Sequence, residues 1–244
     1  MDCTNSLLSY WTLNKPGGGK PIPAAHLVFY NALDSWSTKS SSGHNITYRG
    51  SADSPVLPTA TTYKGIKCCE FGADSWWSAT TNVKASQKAY EGTLSFWLAP
   101  KQTLSTSYPM GVIVGCMNTT SNGRYNYGIF KSSSPARWRL GFQNNTVYIT
   151  YDDTPNTVKW HHFAVTLTVG EGWTNTTRSM TAWVDGVKVG EGTASVPNYA
   201  LSYTVFGNSN TSHNAVYIAG IRLYNKILSA EDIQLLATEY SPID

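Results

Sequence analysis

The 244-residue chain carries 18 basic and 15 acidic side chains, a formal charge of +3, and only 14% charged residues, against about 25% in an average globular protein. No basic run is interleaved with aromatics, and no apolar stretch approaches the roughly 18 residues of a membrane span, so the sequence predicts neither a nucleic-acid interface nor a membrane-spanning segment. A single domain of this length can bury its own core without disulfides or metals.

The chain opens on "MDCTNSLLSYWTLNKPGGG", with no basic n-region and only a broken apolar stretch, which does not read as a signal peptide. The matching expectation is synthesis in a cytosol followed by assembly into a virion or onto a cell surface. A Gly/Pro-rich run over residues 14–23 separates this N-terminal arm or edge strand (1–23) from one domain spanning 24–244.

Strand-like alternation begins with "HLVFYNAL" and is followed by a Ser/Gly loop that holds Trp36. "GIKCCEFG" and "SWWSAT" come next, then "GTLSFWLAP", "MGVIVGCM", "YNYGIFK", "RWRLGFQ", "TVYITY", "HHFAVTLTV", "MTAWVDGVKVG" and "AVYIAGIRLYN". These short β-branched and aromatic runs, broken by turn residues, predict about a dozen strands. Asp185-Gly186 reads as a type I′ hairpin, since both positions accept φ > 0. The predicted fold class is therefore all-β, a two-sheet antiparallel sandwich or jelly roll. One helix is expected near the end, in "LSAEDIQLLATEY", with Ser229 as N-cap and Asp232 completing a capping box.

Cys3, Cys68, Cys69 and Cys116 lack C-x-x-C spacing and read as free thiols, with Cys68 and Cys69 on opposite faces of one strand. The sequons at Asn45, Asn118, Asn144, Asn175 and Asn210 are what a chain rich in Asn and Thr produces by chance.

Four segments, "GTLSFWLAP", "KWHHFAVTLT", "TAWVDGVKVGEG" and "IAGIRLYNKILSAEDIQLL", occur in the order and rough spacing of laminin-G-like domains, and "EFGADSWWSA" resembles the family's strand that leads into F-W. The resemblance covers most of 24–244 and implies the concanavalin A-like lectin/glucanase jelly roll of two curved antiparallel sheets. It implies no single function, because the fold hosts sugar binding, adhesion and hydrolysis. Where many relatives carry acidic residues before R-I-Y-N, this chain has Ala219-Gly220. The family's W-H-H lies at a strand start as framework. Alternation agrees: His161 joins Phe163, Val165 and Leu167 on one face, while Trp160 and His162 take the other. His26, His44 and His213 fall in unrelated loops and complete no metal site.

Hydrolysis by this fold needs two carboxylates flanking one glycosidic bond. Six glutamates are present, none in an E-x-D-x-E cluster, and Glu70 and Asp74, four apart, have Gly72 and a turn between them, which does not suit a flat catalytic strand; the chain reads as no enzyme. A Gly-rich phosphate loop is absent, so no organic cofactor is implied. Calcium is the candidate ion, at a turn with Asp152, Asp153 and Asn156, since relatives hold it at the sandwich rim. Flat aromatic faces beside amides suit sugar rings. The candidate ligand residues are Trp36, Trp76, Trp77, Tyr125, Tyr127, Asn122, Asn126 and Trp173, with Tyr125 and Tyr127 expected on one face. These features predict a non-catalytic binding or adhesion module for a glycan or glycoprotein surface. The alternative is a structural or decorating protein of a bacteriophage virion or cell-surface appendage docked through residues 1–23; a glycoside hydrolase stands third.

Overall fold

Short alternating segments bury one side chain in two, so each sheet they form needs a second layer on its apolar face. The computed structural model describes residues 25–39, 41, 43, 45–48, 57–72, 76–80, 92–101, 112–117, 125–133, 136–141, 148–151, 158–169, 177–195, 203–207, 215–240 and 242. In chain order the first strands are β1 (Leu27–Asn31), β2 (Ile46–Tyr48), β3 (Thr59–Tyr63), β4 (Ile66–Phe71) and β5 (Trp76–Thr80). Then come β6 (Gly92–Pro100), β7 (Val112–Met117), β8 (Tyr125–Ser133), β9 (Ala136–Gly141) and β10 (Tyr148–Tyr151). The series ends with β11 (His161–Val169), β12 (Thr177–Val184), β13 (Val187–Ser195), β14 (Tyr203–Gly207), β15 (Val216–Tyr224) and the helix α1 (Ala230–Leu236). That helix is not long and apolar enough to cross a membrane, and neither is any other among the described residues.

The strands form two antiparallel sheets. One has eight strands in the order β13-β12-β11-β6-β15-β4-β3, with β1 also paired to β15; the other has seven, β10-β9-β8-β7-β14-β5-β2. The jelly-roll expectation holds. Phe29, Cys69, Phe71, Leu94, Phe96, Phe163, Val165, Leu167, Ile218 and Leu223 of the larger sheet meet Leu140 and Ile46 of the smaller in one buried cluster. Phe96 and Phe163 stack at 5.8 Å between ring centroids on neighbouring strands.

The opposite face of the larger sheet is also covered. Leu228, Ile233 and Leu236 close over Ala164 and Tyr224, so the seven-residue helix, too short to stand alone, is held by packing. Ser229 caps it by accepting from the Asp232 amide at 3.1 Å. Beside it, Ile66, Cys68, Trp97, Trp160, Tyr217 and Ala219 form a second buried cluster on that face. Cys68 and Cys69 thus lie on opposite faces as expected; both are free and buried, and burial pushes their thiols up to about 11 and about 12.

Asp185 (φ 51°) and Gly186 (φ 78°) form the expected turn. Lys64 (φ 46°) and Gly65 (φ 79°) make a second such turn between β3 and β4. Three strands went unread in the sequence: β2, with three residues; β3, "TATTY", a largely exposed edge; and β14, "YTVFG". β2 and β3 are edge strands, and a short edge strand has little alternation to detect, because burial does not constrain its side chains.

Candidate functional site

His161 and His162 begin β11, and the Asp185-Gly186 turn lies against them. The Asp185 carboxylate accepts from His161 Nδ1 at 2.7 Å and from the His162 amide at 2.8 Å. The Asp185 amide in turn donates to the His162 carbonyl at 2.8 Å. His162 shares a 2.8 Å hydrogen bond through Nε2 with Ser95 Oγ. Both residues are fully buried. Burial, reinforced by the Arg222 charge and opposed by Asp185, pushes the His162 imidazole down to about 3, so it is neutral near pH 7. A serine–histidine pair invites a nucleophile–base reading, but no substrate reaches a pair with no exposed surface, and the carboxylate bonds the other histidine. The W-H-H element is framework.

Arg222 is the second polar group under this cover. It is 1% exposed, donates to both Glu239 oxygens at 2.5 and 2.6 Å, and lies 4.5 Å over the Tyr30 ring. Its Nη1 also reaches the Gly220 carbonyl at 3.2 Å. Gly220 has φ 57°, and a Cβ there would stand 3.1 Å from the Tyr240 ring. Tyr240 meets Trp97 edge-on at 5.7 Å. The Ala219-Gly220 pair is therefore explained by close passage of the chain after α1. Sequence reasoning missed Arg222, Glu239 and Tyr240 together. The one signal was an arginine inside the apolar run "AGIRLY", with its partner 17 residues away.

Among the described residues three glutamates go to three separate cations. Glu70 pairs with Lys101 at 2.5 Å, Glu191 with Lys188 at 2.7 Å and Glu239 with Arg222; Asp74 lies outside the described residues. No group of three metal-ligating side chains occurs among the described residues. The proposed calcium ligands Asp152, Asp153 and Asn156 lie outside them, as do Asn122 and Trp173.

Trp36 is half-buried and packs against the inter-sheet core. The other aromatics sit on the seven-stranded sheet, where register fixes their rows. The core residue Leu140 stands opposite Ile129, and the row continues through Val114 and Phe206 to Trp77 and Tyr48. Ile46, two residues before Tyr48, is also a core residue. Trp77 thus shares a register row with Leu140, and Trp76, opposite Gly207, stands in the next row. Tyr127 stands opposite Cys116, in the row of Thr204, Ala79 and Ile46. The register shifts between Cys116 and Met117, so Tyr125 falls opposite Met117, in the row of Tyr203 and Thr80. At this bulge Asn126 is the extra residue between Tyr125 and Tyr127; the expectation that their side chains share one face lies outside the described side chains. Between the rows of Trp76 and Tyr125 lies a row containing Gly115, Gly128 and Gly141 on three adjacent strands.

A two-sheet jelly roll with a helix-covered back defines a lectin-like sandwich. A family model described as the concanavalin A-like lectin/glucanases superfamily, of laminin-G type, matches residues 71–234, and the chain belongs to that family. Among curated proteins none matches the sequence. Among solved structures, botulinum neurotoxin type C, described as depending for cell entry on two ganglioside molecules, is similar at TM-score 0.62 and 16% identity, covering 87% of this chain and 51% of the other. The binding domain of botulinum neurotoxin DC in complex with SialylT aligns at TM-score 0.59 and 15% identity, over 88% and 51%. The Trypanosoma rangeli sialidase, as a covalent intermediate with 2,3-difluorosialic acid, aligns at 0.67 and 14% identity, over 96% and 36%. The chain thus spans about half the length of the toxin chains and about a third of the sialidase.

Proposed function

We propose that the chain is a non-catalytic lectin-like module that binds a glycan or a glycosylated surface, displayed in several copies on a larger assembly. The observation that supports this reading is the jelly-roll fold shared with toxin domains whose descriptions name glycans, and on it we take Trp76 and Tyr125 of the seven-stranded sheet as the stacking aromatics. They are three strands and four residues apart, roughly 14 Å by 13 Å, a span suited to a short oligosaccharide. Between them the glycine row offers backbone on which a sugar can lie closely. Aromatic faces stack on sugar C–H groups, and flanking hydroxyls and amides give direction. The toxin domains, whose descriptions name gangliosides and SialylT, support a sialylated glycan as the first ligand to try. Hydrolysis is disfavoured because Glu70, Glu191 and Glu239 each pair with a different cation, Lys101, Lys188 and Arg222. The virion or appendage reading draws no support from the fold or from the relatives.

The test is a glycan array probed with a multivalent form of the full chain. Binding is expected to be weak per site and visible through avidity. Trp76→Ala and Tyr125→Ala are each expected to cost about 1–2 kcal/mol, roughly five- to thirtyfold in affinity, with unchanged circular dichroism. An array with no signal for sialylated or neutral glycans would overturn the reading.

A further inference from the structure

We propose that residues 229–240, the helix α1 and the turn after it, form a proton-sensitive strap that opens ahead of the sandwich as the solution becomes acidic, uncovering Trp97, His162 and Arg222.

The geometry makes His162 the sensor. Its cross-strand neighbour Trp97 donates from Nε1 to the Leu236 carbonyl at 3.4 Å and carries Tyr240 on its edge. On its other side is the Asp185-Gly186 turn, where a Cβ on Gly186 would stand 3.1 Å from Gln234 Cα and 3.3 Å from Ala237 Cβ. The end of α1 thus covers both flanks of His162, and lifting it admits water to the imidazole. Nδ1 of His162 is buried with no hydrogen-bond partner among the described residues, so a proton taken up there in the closed state gains no acceptor from them.

Two charged groups act on it: Asp185 of the turn, already bonded to His161, and Arg222 of β15, which itself meets Tyr30 of β1 and Glu239 of the strap. Tyr224 of β15 and Tyr240 of the strap interact with that Arg222–Glu239 group in turn, and Asp232 of the strap acts on Tyr224. Glu239 of the strap is already occupied by Arg222, and a second cation beside that buried guanidinium is disfavoured in the closed state.

The sign follows from linkage. Closed, the imidazole is held down to about 3; open and hydrated, it titrates near the ordinary 6.5. The open state therefore binds one more proton between those values. Closure is fully favoured above about 6.5 and weakens as pH falls below it, by about tenfold per pH unit.

Hydrogen–deuterium exchange of the full chain, converted to protection factors between pH 7.5 and 4.5, tests this. Strap amides are expected to lose about tenfold in protection per unit below pH 6.5, while those of β6 and β11 hold to lower pH. In His162→Gln, which stays neutral, the strap profile is expected to be flat until the whole domain unfolds. Simultaneous loss from strap and β11 at every pH, or an unchanged slope in His162→Gln, would overturn the proposal. Should that variant not fold, the wild-type comparison of strap with β11 decides alone.

Discussion

At the scale of single residues, Asp185 joins two parts of the chain that lie 23 residues apart. One oxygen orients His161, the other fixes the His162 amide, and the turn's own amide closes the loop onto the strand. Hydrogen bonds to a charged acceptor are each worth about 1.5–3 kcal/mol when an unmet donor is left behind. Asp185 is partly exposed, so water replaces some of that loss. Asp185→Ala is expected to lower unfolding stability by about 2–3 kcal/mol, seen as a lower urea midpoint with an unchanged slope. Lys188→Ala, which removes only an exposed pair with Glu191, is expected to leave the midpoint where it was. Equal effects from the two substitutions would mean that the turn is held by its backbone alone.

At the scale of elements, the family's ordered motifs turn out to be one interlocking device. The turn tip meets α1 through Gly186, the strand "AGIRLY" meets the following chain through Gly220, and Trp97 meets both. Gly186→Ala puts a Cβ 3.1 Å from the helix backbone at a φ of 78°, whereas Gly43→Ala at φ 83° meets nothing within 4 Å. The left-handed conformation costs both about 1–2 kcal/mol. Only Gly186→Ala is expected to exceed this and to lower the helical signal, and thermal melts followed by circular dichroism would separate them. Alternation and the Asp-Gly pair made this region readable from the sequence, since burial on both faces of β6, β11 and β15 leaves little freedom in residue choice. The bulge separating Tyr125 from Tyr127 was not readable. It is a property of pairing between two strands, and nothing local in "RYNYG" encodes it. The edge strand β3 escaped for the opposite reason, as its exposed threonines carry no periodic signal.

At the scale of the whole molecule, the two sheets divide the work. Among the described residues, α1 and the chain after it cover the larger sheet, while Trp76 and Tyr125 belong to strands of the smaller one. Stability and ligand recognition, on the proposed function, are then separable. Glu239→Gln removes the negative charge from a buried pair and leaves Arg222 uncompensated, a loss of about 3–5 kcal/mol. In a domain of this size that amounts to roughly 10 °C in Tm. Below its melting point the variant is nevertheless expected to bind the array-selected glycan with wild-type Kd, because the substitution lies on the far sheet. Trp76→Ala is expected to behave in reverse, losing affinity while melting near the wild-type temperature. In the double variant the two losses should add, as they do for sites that share no contacts. Calorimetric titration beside thermal melts of the four proteins checks this. A Glu239→Gln protein that is folded yet no longer binds would show that recognition lies on the helix-covered face.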